Sequence, residues 1–465
     1  MQTNKKVLFL IPDGVGVRNY LYSNVITQLK HNATITFWST LPIEVFDEVK
    51  KLHNIDFNFK KINLTPEHFL TRLYREAATY SRLNYNAKLV QNPTILVNWR
   101  TQGKNFKLKA LYKAAEFIGK RTVSKYNKII QLEEKSKKNW DINIIAHYKQ
   151  ELLKENPDSI FITHQRVAGL MPICLAAKEL GIQVVSAIYS WDNMPKARLA
   201  IEADKYVVWS NYMKDEFKLY HPEVPHNNVM VTGTPQFEFY QQESRIINKA
   251  TFAEKYNLDL NKIWICYSGD DKLTSPNDPI YLEDIAKAIE NSHLKGKVQI
   301  IFRRSPADIS DRFDEVIAKY KKIIISINPD WNSKQTGWAG FFPKLNDIDL
   351  LVNIVHYCEL VINLGSTMAH DFAVYNKPCL YVNYDIPSTQ NWSVKTIYKY
   401  QHFRTMDGMD AVIWLHSRDE IAAKLFQALQ NPHSVAKDRR KWLEKVVKFP
   451  LEASSENIAR ALLSN

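Results

Sequence analysis

Residues 159–188 read SIFITHQRVAGLMPICLAAKELGIQVVSAI. Two short apolar runs, Ser159–Thr163 and Gln183–Ile188, flank a helix-length segment, Val167–Leu180, closed by Gly181. Glycine directly after Lys178-Glu179-Leu180 stops a helix, because it takes the left-handed cap conformation without a Cβ clash. Strand, helix and strand in so short a span make a parallel pair, and uninterrupted apolar strands imply that both sheet faces are covered. The alternation extends outward. Strands are expected at Val7–Ile11, Thr34–Trp38, Ile95–Val97, Tyr206–Val208 and Asn228–Thr232, with a helix over Asn211–Tyr220. After the polar stretch Gln241–Asn261 a second series runs through Ile263–Ser268, Val298–Phe302, Ile323–Ile327, Leu360–Ile362 and Cys379–Val382. Its helices are expected at Tyr281–Asn291, Asp349–Cys358 and Thr367–Tyr375. The reading is α/β: two Rossmann-like domains, residues 1–245 and 246–437, with parallel sheets facing a central cleft. Pro450 divides residues 438–465 into two helices, expected to cross back onto the first domain.

Bulk properties fit that plan. A chain of 465 residues is too long for one ordinary core, and 45% hydrophobic with 24% charged residues excludes extended disorder. Cys174, Cys266, Cys358 and Cys379 lie far apart in apolar runs, so they read as buried thiols, without metal spacing or a disulfide framework. Val7–Ile11, interrupted by Pro12-Asp13-Gly14, is too short for a secretory apolar region and reads as a first strand. No run approaches the ~20 apolar residues that cross a bilayer. The net charge of +13 is concentrated between Arg100 and Lys138, where Phe106, Leu108, Leu111, Tyr112, Phe117 and Ile118 interleave with lysines. This basic helical insertion, about 100–140, suits an anionic membrane surface; a solvated face over a packed stripe is the plainer reading, and no nucleic-acid motif accompanies it.

In open parallel sheets, ligands sit beyond the carboxyl ends of the strands. After the first strand comes Pro12-Asp13-Gly14-Val15-Gly16-Val17-Arg18-Asn19, whose two glycines let backbone approach a ligand but lack the third of a dinucleotide fingerprint. Asp13 is a candidate general base, or a carboxylate capping a helix. Thr163-His164-Gln165-Arg166 and Ser190-Trp191-Asp192-Asn193 follow later strands. From them His164, Arg166, Trp191 and Asn193 are candidates for acceptor contact and Asp192 for catalysis. In the second half, Gly269 and Lys272 lie after one strand and Arg303 and Arg304 after the next. Ser366, Thr367 and Asp371 stand at a helix start after Gly365, where amides and the dipole suit a diphosphate and Asp371 a ribose hydroxyl. Lys272 and Arg303 would neutralise the leaving phosphate without a metal. Ordinary capping by Ser366 is the alternative.

Ser190-Trp191-Asp192-Asn193, then Val207-Val208-Trp209-Ser210, then Val231-Thr232-Gly233-Thr234-Pro235-Gln236-Phe237 resemble bacterial GT-B-fold glycosyltransferases of cell-surface glycan synthesis. CDP-glycerol glycerophosphotransferases and Kdo transferases share the outline. The Arg303–Pro306 turn and Ser366/Thr367…Asp371 match that group's donor-side motifs in position and order, and the similarity covers about 155–240 and 295–385. The resemblance implies a nucleotide sugar bound by the second domain and an acceptor bound by the first. Where relatives have Arg-x-His-Pro this chain has Arg303-Arg304-Ser305-Pro306, so no histidine role carries over; the relatives' glutamate is Asp371 here.

The expected function is therefore transfer of a sugar from a nucleotide donor, UDP before CMP, CDP or GDP, to a glycan or lipid-linked acceptor. The nucleotide sugar is a substrate, and no cofactor is expected. The donor base is placed near Asn346–Leu350, with Asp13 or Asp192 assisting an inverting attack. The expected location is cytoplasmic, peripheral on the inner membrane face. Two rivals stand beside it: a non-hydrolysing nucleotide-sugar 2-epimerase, for which the acidic residue beside His164 is missing from the sequence, and a non-enzymatic membrane- or polyanion-binding scaffold.

Overall fold

The computed structural model describes residues 5–101, 105–332, 341–387 and 392–464. Seven parallel strands build the first sheet: β1 (Lys5–Ile11), β2 (Ala33–Ser39), β3 (Asn58–Lys61), β4 (Ser159–Ile162), β5 (Gln183–Ala187), β6 (Lys205–Val208) and β7 (Val229–Val231). Their spatial order is 3-2-1-4-5-6-7. The second sheet comprises β8 (Ile263–Ser268), β9 (Val298–Arg303), β10 (Ile324–Ser326), then, after the small antiparallel pair β11 (Trp331–Asn332) and β12 (Phe342–Pro343), β13 (Val361–Asn363), β14 (Cys379–Val382) and β15 (Ile413–Leu415). Its order is 10-9-8-13-14-15, the same doubly wound plan. Val7–Ile11 of β1 and Trp264–Ser268 of β8 are buried along their length, as strands covered on both faces require. The architecture is GT-B-like: two parallel-sheet α/β domains.

Both orders reverse beside the first strand of each sheet, which places the ends of β1 and β4, and of β8 and β13, side by side. Such switch points leave a crevice for ligands. Between β3 and β4 the first domain carries four helices: α1 (Phe69–Leu89), α2 (Phe106–Lys120), α3 (Tyr126–Lys138) and α4 (Ile142–Glu155). Arg82 of α1 is fully buried and ties the group down, donating to Glu133, Glu223 and the Tyr220 carbonyl. A further helix, α5 (Met171–Glu179), joins β4 to β5; α6 (Leu345–Tyr357) and α7 (Met368–Val374) flank β13.

At the C-terminal side, α8 (Arg439–Val446) packs on α7, and α9 (Ser454–Leu463) returns to the first domain. There the Ser159 hydroxyl donates to the Leu462 carbonyl at 2.9 Å, and buried Glu238 accepts the Ser455 hydroxyl at 2.6 Å. Two local expectations fail. Ile95–Val97 is not a strand but part of a 3-10 turn, Pro93–Asn98, which Asn92 caps by accepting the Thr94 N–H at 3.1 Å. Asn346–Leu350 is not a loop but the opening turns of α6.

Candidate active site

The loop after β1 folds around Asp13. Its Oδ1 accepts the N–H groups of Val15 and Gly16, both at 3.1 Å, so the carboxylate caps its own turn. Oδ2 lies 2.5 Å from Nδ1 of His164, which follows β4. The imidazole stacks on Tyr189, with 4.0 Å between centroids and 16° between planes. In the neutral ring a carboxylate partner places the proton on Nδ1 and the lone pair on Nε2. That Nε2 is buried and has no hydrogen-bond partner among the described residues. The second domain closes over this loop. A Cβ on Gly14 would lie 2.4 Å from the Phe341 carbonyl oxygen and 2.5 Å from Phe342 Cα, so no larger residue fits the closed arrangement.

The Ser190–Asn193 loop makes the second bridge. Trp191 is buried, and its indole N–H donates to Thr367 Oγ1 at 3.3 Å. Its ring meets His370 and His402 edge-on, at 4.9 and 4.7 Å. Asp192 is bound by the Lys196 ammonium and accepts the Asn193 amide at 2.9 Å. Against burial, which acts upward, Lys196 and His402 hold the Asp192 carboxyl well below the usual carboxylate range. Asn193 is itself buried and accepts from Gln165 at 3.2 Å, so it braces the loop. Arg166 is half-buried; burial, then the Arg198 guanidinium, works against its charge.

On the facing wall, Gly365 has φ +72°, a backbone that side chains rarely adopt, and a Cβ there would approach Phe403 to 2.9 Å. The Ser366 N–H donates to Asn363 Oδ1 at 2.9 Å, and Thr367, holding Trp191, stands at the cap position before α7. The turn therefore faces the first domain. One turn on, Asp371 is buried and accepts the Tyr240 hydroxyl at 2.9 Å. Burial pushes its pKa up to about 6, opposed by Arg18, Tyr240 and Arg303. Arg303, at the end of β9, donates through Nη2 to both oxygens of Asp347, at 2.8 and 2.9 Å, while its buried Nη1 has no partner among the described residues. Against burial, Arg303 holds the Asp347 carboxyl below its usual range.

Among the described residues the remaining donor-side candidates add no side-chain hydrogen bond to this cluster. Arg304 turns to the Ser310 carbonyl, at 2.8 Å. Gly269 is buried, its N–H donating to the Arg303 carbonyl at 2.9 Å, and Lys272 is exposed. The structure thus joins Asp13 to His164 and Trp191 to Thr367, and sets Arg303 in the field of Asp371. Sequence reasoning missed three members. Arg18, already within the quoted loop, acts electrostatically on Asp371, Tyr240 and Tyr189. Tyr189 immediately precedes the Ser190–Asn193 motif. Tyr240 had no motif to mark it.

Among the described residues no three His, Cys, Asp or Glu side chains gather to hold a metal ion. A separate cavity of about 400 Å³ lies between the helical insertion and residues 199–206, and its lining includes none of the site residues above. Its acids are largely paired internally, Glu67 with Arg75 and Glu202 with Lys137.

No protein-family model and no curated protein sequence matches the chain. Solved structures do. UDP-GlcNAc 2-epimerase from Neisseria meningitidis, bound to UDP-GlcNAc, is 12% identical, with a TM-score of 0.56 over 99% of this chain and 100% of that one. A glycosyltransferase from Rickettsia africae ESF-5 is 12% identical, with a TM-score of 0.53 over the whole of both chains. UDP-GlcNAc 2-epimerase from Methanocaldococcus jannaschii is 12% identical, with a TM-score of 0.52 over 98% and 99%. What this chain shares with them is the GT-B-like fold. The narrower kinship with CDP-glycerol or Kdo transferases finds no support in these comparisons.

Proposed function

We propose that the chain is a nucleotide-sugar glycosyltransferase in which His164 is the general base and Asp13 orients it. The single observation that carries this reading is the Asp13–His164 pair beneath the domain closure, with Nε2 unpartnered. In the reaction, an acceptor hydroxyl gives its proton to His164 Nε2 as its oxygen attacks the anomeric carbon. The bond from that carbon to the diphosphate breaks, and the electron pair leaves with phosphate. The hydroxyls of Ser366 and Thr367, just before α7, and the guanidinium of Arg18 receive the diphosphate, and Asp371 accepts a ribose hydroxyl. Attack from the face opposite the leaving group inverts configuration. Asp192 is a poorer base, because Lys196 already occupies it. UDP is the favoured nucleotide, and the acceptor is a glycan or a lipid-linked sugar.

A second reading is favoured by one observation. Asp13 supplies, across space, the acid beside His164 whose absence from the local sequence counted against a 2-epimerase. The two readings part on one experiment. The protein is incubated in heavy water with UDP-GlcNAc and no acceptor, and C2 of the sugar is followed by NMR. Transfer chemistry expects no deuterium at C2, whereas its incorporation rejects the transferase in favour of epimerisation. His164→Asn should lower turnover about 10²–10⁴-fold while leaving the UDP-induced rise in melting temperature intact. No melting change with any of UDP, CMP, CDP or GDP rejects both enzyme readings.

A further inference from the structure

The helical insertion presents a face that the site does not use. Phe106 and Phe117 of α2 are 85% and 61% exposed. At about 100° per residue they share a third of the helix circumference with Lys109, Lys113, Lys120 and Arg121. The opposite face, Leu111, Tyr112, Ala115 and Gly119, is buried against α1, and a Cβ on Gly119 would meet Tyr80 at 2.8 Å. The packed stripe and the exposed face are therefore separate, and core packing does not account for the two outward phenylalanines. Nor do neighbouring acids neutralise the cations. Glu116 accepts the Trp99 indole N–H at 2.8 Å, Glu133 faces Arg82, and Glu134 pairs with Lys137. Among the described residues Lys107, Lys109, Lys113 and Lys120 have no carboxylate partner. The Arg121 guanidinium lies 3.4 Å over the Phe117 ring, setting charge and aromatic at one level.

We infer that this face of α2 docks on an anionic lipid bilayer. Aromatic rings enter the boundary between headgroups and chains while lysines meet lipid phosphates, the pairing of forces by which in-plane helices bind. A nucleic acid would satisfy the lysines but gives no reason for two phenylalanines to stand in water. Shortly after α1, Asn92 donates to the Lys399 carbonyl at 3.0 Å and to Gln401 Oε1 at 2.9 Å, bonding the insertion to the second domain next to His402 and Phe403. Leu89, at the end of α1, and Leu96 and Val97, between α1 and α2, are also exposed.

The test is flotation of the full chain with phosphatidylcholine vesicles containing or lacking phosphatidylglycerol. Retention on the anionic vesicles alone, weakened by salt, is the expected result. A Lys109→Glu/Lys113→Glu/Lys120→Glu variant should lose binding about tenfold or more, and so should Phe106→Ser/Phe117→Ser. Both variants should keep the wild-type melting temperature and its response to nucleotide, since these side chains touch neither core nor cleft. Equal retention on both vesicle types, retention on neither, or unchanged binding by either variant overturns the inference. Binding of duplex DNA without vesicle binding overturns it too, assigning the face to a polyanion.

Discussion

Asp371 carries two opposite demands in one carboxyl group. To accept a ribose hydroxyl it must be ionised, yet burial raises its pKa from 3.8 to about 6. Donor affinity should therefore fall as pH drops through about 6 and the acceptor oxygens are lost. The sign for stability is reversed. Between pH 3.8 and about 6 the folded chain holds the proton that the unfolded chain has released, so stability declines as pH rises through that window. The loss is on the order of 3 kcal/mol. Asp371→Asn should bind UDP more weakly at pH 8, show no inflection near pH 6, and melt at a higher temperature than the parent. Titration calorimetry across pH with melting curves would check it; an unchanged affinity profile would remove Asp371 from the ribose site. Individually, Asp13, His164 and Asp371 were legible, because each follows an apolar strand. Their partnerships were not. Asp13 and His164 are 151 residues apart and meet only because β1 pairs with β4. Tyr240 reaches Asp371 from a turn with no periodicity to read.

At the scale of elements, the loop after β1 is a place where backbone of the two domains meets closely. Gly14→Ala inserts a methyl group where the Phe341 carbonyl and Phe342 already stand. Backbone cannot yield as a flexible side chain does, so the cleft should be held open. We expect turnover to fall about tenfold or more while nucleotide affinity changes little, since misplacing reacting groups by an ångström suffices for such losses. Small-angle scattering with UDP should show a larger radius for the variant than for the parent; an identical radius and rate would mean that closure tolerates the methyl group. The elements legible from sequence were the long apolar ones. In the two parallel sheets the missed strands, β3 and β15, each lie at an edge, with Asn58-Phe59-Lys60-Lys61 too polar to stand out; the two-residue strands β11 and β12 were too short to read. Ile95–Val97 misled because three apolar residues do not distinguish a strand from a turn.

For the molecule as a whole, the pattern of alternating strands and helices conveyed both sheets, and the return of the chain at its C-terminal side was expected from the two-Rossmann architecture so inferred. What it could not convey was how firmly that return is fixed. Ile458, Ala459, Ala461 and Leu462 of α9 are buried. Leu462→Ala should destabilise the fold by about 2–5 kcal/mol through the cavity it leaves. A lower urea midpoint, with cleft chemistry unchanged in the surviving folded fraction, is the expected readout. An unaltered midpoint would make α9 a loosely attached appendage.

The bond from Ser159 to the carbonyl of Leu462 also sets an order of events during synthesis. A strand translated a third of the way along the chain cannot complete its surroundings until α9 has emerged from the ribosome, by which time the intervening domain has already left the exit tunnel. The half of the protein made first is thus the half finished last, and it waits, partly uncovered, for a segment that its own neighbour precedes.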